Sequence, residues 1–132
     1  MTIWDTPCDG AVHSPAVGSG LALDGADVLL FVFDARNRDT FVAVINAVAE
    51  VKLRCSEDGT AVPEVVLAAN FSDQVKKCKF QKEVDAFAKK NRAEARNISA
   101  RSSDGITTVM HCLERVVESK AGGGRGAERM ER

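Results

Sequence analysis

The sequence predicts an α/β fold in which a parallel sheet is covered on both faces by helices. Val28 to Phe33 and Val65 to Ala69 are short, unbroken apolar runs containing β-branched residues, the pattern of strands buried on both sides. Each closes on a polar residue, Asp34 or Asn70. After each comes a segment whose apolar residues recur at three- and four-residue spacing, as on one face of a helix. Strand and helix in alternation imply parallel crossovers.

With 132 residues the chain has material for one domain and one core. A hydrophobic share of 45% beside 28% charged residues is that of an ordinary globular protein. Eighteen basic against 19 acidic residues leave a formal charge of -1, which gives no electrostatic footprint for nucleic acid. No apolar run approaches the roughly 20 residues that span a bilayer, and the first residues lack the basic and apolar regions of a secretory leader. A cytoplasmic protein without a transmembrane segment is therefore expected. Cys8, Cys55, Cys78 and Cys112 form no C-x-x-C pair and have no nearby His, so free thiols are expected rather than a zinc site.

In chain order, Ile3 and Trp4 read as a short strand closed by Asp5. Pro7, Gly10, Pro15, Gly18 and Gly20 then make a loop. After the Val28–Phe33 strand, Asn37 or Asp39 can cap a helix with Phe41, Val44, Ile45, Val48 and Val51 on its inner face. Cys55 to Pro63 reads as a loop centred on Asp58 and Gly59. The strand at Val65 opens into Asn70, Phe71, Ser72 and Asp73 at its carboxyl end, where open α/β sheets place ligands. A basic loop, Gln74 to Lys79, leads to a helix from about Phe80 to Asn91 that turns Phe80, Val84, Phe87 and Ala88 inward. Its lysines read as a solvated face. A short strand precedes Asn97. Ser102, Ser103 or Asp104 can cap the last helix, with Ile106, Val109, Met110, Leu113, Val116 and Val117 as its stripe and His111 on the surface. The domain is expected to span residues 1–120, and the Gly-rich charged residues 121–132 to form a disordered tail.

Three segments carry a family resemblance. Asn70-Phe71-Ser72-Asp73 resembles the NKxD guanine-specificity motif of the Ras superfamily of small GTPases, with Phe71 in place of lysine. Trp4-Asp5-Thr6 resembles the WDTAG segment, and Asn97-Ile98-Ser99-Ala100 the ETSAK loop. Between them Ala26, Asp27, Asp34, Thr40 and Phe41 fit the family's strand and D-x-x-x-x-x-S/T-F turn. Within the superfamily the Rab and Rab-like branch looks nearest, through IWDT and that turn. The match runs from about Ile3 to Glu118. It implies a three-layer, P-loop NTPase-like (Ras-like) fold, N-terminally truncated to roughly its last two thirds.

For the site, the resemblance implies that Asn70 and Asp73 face a guanine edge. Phe71 then lies against the base, and the backbone amides of Ser99 and Ala100 approach its carbonyl oxygen. Asp5 is implied as a vestigial, water-mediated magnesium residue. In the alternative, Asp73 caps a turn and Phe71 is a surface or interface aromatic. The phosphate clamp GxxxxGK[ST], whose amides and lysine hold the β- and γ-phosphates, does not occur in the sequence, and Asp9 stands at the family's catalytic Gln. No catalytic residue is expected, hence no GTP turnover, and no cofactor; GTP or GDP with Mg is expected only of a longer form. There is no Cys near the C-terminus for prenylation.

Without the family's phosphate-loop strand, Val28–Phe33 keeps an open edge. The Met1–Trp4 strand can shift onto it, a protein partner can supply a strand, or the chain folds poorly. The leading expectation is a pseudo-GTPase or interaction module in vesicular or ciliary trafficking. The alternatives are the truncated product of a complete GTP-hydrolysing switch, and an unrelated small doubly wound domain with Asp5 and Asp34 as paired carboxylates.

Overall fold

The computed structural model describes residues 26–128. Within them three parallel strands form one sheet: β1 (Val28–Asp34), β2 (Glu64–Asn70) and β3 (Glu94–Asn97), in that spatial order. Helix α1 (Arg38–Asp58) connects β1 to β2, α2 (Gln81–Asn91) connects β2 to β3, and α3 (Ile106–Glu128) follows β3. The expected α/β class and strand–helix alternation are both present. The expected strand at Ile3–Trp4, the loop after it, Cys8 and residues 129–132 lie outside the described residues.

β2 is the buried centre: Val65 through Ala69 are all at most 7% exposed. Its register pairs Phe31 with Leu67 and Phe33 with Ala69 on one face, and Leu30 with Val66 and Val32 with Ala68 on the other. The first face is covered by α1 and α2. Phe33, Phe41 and Phe80 meet there with ring centroids 5.2 to 6.2 Å apart, and Phe87 meets Phe41 edge-on at 5.7 Å. Such pairs add to the burial of apolar area, which is the main favourable contribution to folding. On the second face α3 lays Val109, Cys112 and Leu113 over Val66, Ala68 and Ile98. The helices thus form a layer on each side of the sheet.

α3 is also tied to the edge strand. The Cys112 thiol donates to Glu94 Oε2 at 2.8 Å, and Arg115 and Arg96 close on the same carboxylate at 2.9 and 3.1 Å. The Cys112 hydrogen bond and the two arginines together hold the Glu94 carboxyl below the usual range. Cys55, Cys78 and Cys112 are buried free thiols. Burial pushes the Cys78 and Cys112 thiols up, so neither is an activated nucleophile.

Three element boundaries differ from expectation. α1 runs on through Cys55 to Asp58, so the expected loop begins only at Gly59. Gly59 is a left-handed helix cap (φ 69°) whose N–H closes on Cys55 and Ser56 carbonyls, and Asp58-Gly59 therefore ends a helix instead of centring a turn. α3 starts at Ile106 without the side-chain cap expected from Ser102, Ser103 or Asp104; the Ser103 carbonyl accepts the Ile106 N–H at 3.3 Å instead. Its far end is described as helix to Glu128, past the boundary expected at Ala121. Asn37 caps α1 as expected, its Oδ1 accepting the Asp39 N–H at 3.0 Å.

Candidate functional site

Because the strands are parallel, their carboxyl ends deliver Asp34, Asn70 and Asn97 to one edge of the sheet, where the register sets Asp34 beside Asn70 and Ala69 beside Asn97. The loops after β2 and β3 therefore meet. Ser72 N–H donates to the Ile98 carbonyl at 3.0 Å, joining the two loops by their backbones.

The side chains named from the sequence complete that joint. Asn70 Oδ1 accepts two backbone N–H groups, Phe71 at 2.8 Å and Ala100 at 3.0 Å. Ser99, wholly buried, donates its hydroxyl to Asp73 Oδ1 at 2.9 Å and accepts the Ser102 N–H at 3.1 Å. A buried hydroxyl needs such partners, since leaving it unmade costs about 1–3 kcal/mol. Ser99 N–H donates to the Asp104 carbonyl at 2.9 Å. The amides of Ser99 and Ala100, named as guanine contacts by resemblance, are both engaged within the chain. Asn70 Nδ2 and the second Asp73 oxygen have no hydrogen-bond partner among the described residues.

Phe71 adopts a left-handed backbone (φ 73°), unusual for a bulky residue. Two contacts fix it. The Asn70 side chain holds its amide, and the Arg36 guanidinium lies 3.7 Å from its ring centroid as a cation–π lid. Arg36 is itself pinned. Its Nε and Nη2 meet the two Asp34 carboxylate oxygens at 2.9 Å each, and Nη1 donates to Gln74 at 2.6 Å. The Arg36 guanidinium in turn holds the Asp34 carboxyl below its ordinary value. Arg36 and Gln74 were not among the sequence candidates. The signal was local, an Arg two residues after a strand-end Asp, but its stacking partner lies 35 positions away on another loop.

Thr40 explains the turn pattern after β1: its hydroxyl accepts the Asp34 N–H at 2.9 Å and donates to the Asn37 carbonyl at 2.7 Å. It closes a turn and faces no ligand. The Asp5–Asp34 carboxylate pair finds Asp34 committed to Arg36, and Asp5 lies outside the described residues, as does its magnesium role. Among the described residues no group of three or more His, Cys, Asp or Glu is arranged for a metal ion. No described helix is long and apolar enough to cross a membrane.

A cleft of about 270 Å³ lies beside this joint, lined by Ala35, Ser72, Lys76, Lys77, Gln81 and Asn97 among others. It falls below the roughly 300–1,000 Å³ of sites that enclose a small ligand. Two polar groups remain free to read a base, yet the sequence supplies no phosphate loop. Among the described residues no phosphate-binding loop accompanies these two groups.

The comparisons with known proteins agree with the fold. A family model described as Ras family matches residues 1–119. No curated protein matches the chain.

Proposed function

The chain belongs to the Ras family of small GTPases, and from that premise we propose that it is a Rab-like pseudo-GTPase acting as a nucleotide-independent protein-interaction module in the cytoplasm, in vesicular or ciliary trafficking. The observation that carries the proposal is the closure of the guanine-motif residues on one another. Asn70 is bound to the Phe71 and Ala100 amides and Asp73 to Ser99, at 2.8 to 3.0 Å. In this reading the motif works as a clasp between the β2 and β3 loops, with Phe71 locked beneath Arg36. The trafficking context and the Rab-like branch rest on the sequence resemblance at IWDT and the D-x-x-x-x-x-T-F turn.

Phosphoryl transfer depends almost wholly on positioning and on charge stabilisation by a phosphate loop, a metal and a water-orienting residue. These 132 residues contain no GxxxxGK[ST] segment and carry Asp9 at the catalytic Gln position. No cofactor is expected to act in this chain. Purified protein incubated with GTP and Mg should release phosphate at the rate of a buffer blank; turnover above it would overturn the proposal.

A second reading has an observation of its own. Asn70 Nδ2 and one Asp73 oxygen stay free on the same edge, which is the residue set a guanine base needs. A longer form carrying a phosphate loop would then bind GTP or GDP with Mg and switch. A sequence reading upstream of Met1 for GxxxxGK[ST], followed by turnover measured on that form, separates the two.

A further inference from the structure

Residues 76–92 hold seven basic side chains and two acidic ones, in a chain whose formal charge is -1. Both acids are engaged: Glu83 receives the Arg38 guanidinium at 2.9 Å, and Asp85 accepts the Gln81 amide at 2.8 Å. Every ion pair among the described residues uses an arginine, so Lys76, Lys77 and Lys79 pair with no carboxylate there. A run of lysines is ordinarily a solvated face. Lys76 and Lys77 differ from the rest of the run because both line the cleft of about 270 Å³, together with Ser72 and Asn97. That cleft sits outside the carboxyl ends of all three strands, where parallel sheets take ligands: Ala35 follows β1, Ser72 follows β2 and Asn97 ends β3. Its lining is apolar at Ala35, Val75 and the buried Cys78, which belong to the core on the α1–α2 side. The other groups are hydrogen-bond donors. The Ser72 hydroxyl, the Asn97 amide and the two ammonium groups have no hydrogen-bond partner among the described residues, and no carboxylate lines the cleft. Of the strand-end acids, Asp34 is held by Arg36 and Asp73 is turned to Ser99. α2 starts at Gln81 on the same cleft without a side-chain cap, and its first amides favour the same sign of ligand.

We propose that this cleft binds a phosphate monoester, with Lys76, Lys77, Ser72 and Asn97 donating to its oxygens. A monoester carries a charge of about -1.5 to -2 at pH 7, which two ammonium groups match; a carboxylate would leave one of them unmatched. Volume sets how much of the ligand enters. A space smaller than the roughly 300 Å³ of an enclosed small-molecule site takes the phosphate group and leaves outside the molecule that bears it. A phosphorylated serine on a protein and a small phosphate ester share this chemistry. The site is lined by lysines and has no glycine-rich loop, and it lies apart from the free groups of Asn70 and Asp73. It therefore stands whether or not the chain turns over GTP.

Titrating the full chain with O-phosphoserine, followed by backbone amide NMR, tests the site. The signals of Ser72, Lys76, Lys77 and Asn97 should shift and saturate, and serine should leave them in place. Lys76→Gln combined with Lys77→Gln should weaken binding by roughly tenfold. Lys89→Gln combined with Lys90→Gln changes the net charge equally, about 12 Å further along α2 and beyond the screening length at 0.15 M salt. That pair should alter the affinity by less than about twofold. All four lysines are exposed, so the far-ultraviolet circular dichroism should be unchanged in both variants. Equal weakening by the two pairs would overturn the proposal, because binding would then be diffuse attraction to a basic surface. Shifts that fail to saturate, or glutamate bound as tightly as phosphoserine, would overturn it as well. A phosphoserine peptide bound roughly tenfold more tightly than the free amino acid would place the phosphate on a protein, and equal affinity would place it on a small ester; each result supports the site.

Discussion

The two faces of the sheet are built from neighbouring residues of the same strands and differ in how they are closed. On the α1–α2 side Phe33, Phe41 and Phe80 are at most 6% exposed and in mutual ring contact. On the α3 side Cys112 and Leu113 are sealed over β2, while Leu30 and Val32 next door are open to solvent among the described residues. Since successive strand residues point to opposite faces, each β1 side chain is assigned to one or the other. Stability should therefore concentrate on the aromatic side, and the α3 side should be the more easily perturbed.

Phe41→Ala should have the largest effect. It removes a ring in contact with three others and should cost about 3–5 kcal/mol, read as a urea-midpoint shift. Leu113→Ala, on the covered half of the other face, should cost about 2–3 kcal/mol, toward the lower part of the Leu→Ala range, because the half-open layer can settle into the space. Equal losses for the two would break the contrast between the faces.

Gly105→Ala should cost about 1–3 kcal/mol. Gly105 has φ 77°, and a Cβ there would collide with the Asn97 carbonyl oxygen, where the β3 loop passes the start of α3. The loss should be accompanied by faster amide exchange at Ser99 and Ala100, which would tie the clasp to the α3 layer. A smaller effect should come from acid. The Asp34 and Glu94 carboxyls are both held below their usual values in the folded protein. Their contribution is present above the unfolded carboxylate value, about pH 4, and is lost as pH falls through the folded one. The urea midpoint should drop below about pH 4, and Asp34→Asn should reduce that drop.

The strands were legible because β1 and β2 are short apolar runs whose pattern fits a buried parallel strand and nothing longer. α1 was legible through Asn37 and the buried Phe41, Val44, Val48 and Val51. Its end was misplaced because Asp58-Gly59 suits a turn and a left-handed helix cap equally, and only the chain beyond it decides. Asn70, Asp73, Ser99 and Ala100 were all found from the motif pattern, and the structure brings them together. What the pattern lacked was their partners. That Asn70 Oδ1 is taken by two amides, or that Arg36 covers Phe71, depends on loops separated by about 30 residues whose approach the parallel sheet sets.

The central claim is that Asp73 fastens the Ser99 loop and does not read a base. Thermal unfolding of the intact chain, with and without millimolar GDP and Mg, tests it directly when set beside Asp73→Ala. A ligand that binds the native state at 100 times its dissociation constant adds about 2.7 kcal/mol, a readily seen rise in midpoint. The account predicts that nucleotide leaves the midpoint unchanged and that Asp73→Ala lowers it by a few degrees, as loss of about 1 kcal/mol would. A midpoint that rises with GDP in the native chain and not in Asp73→Ala would contradict it.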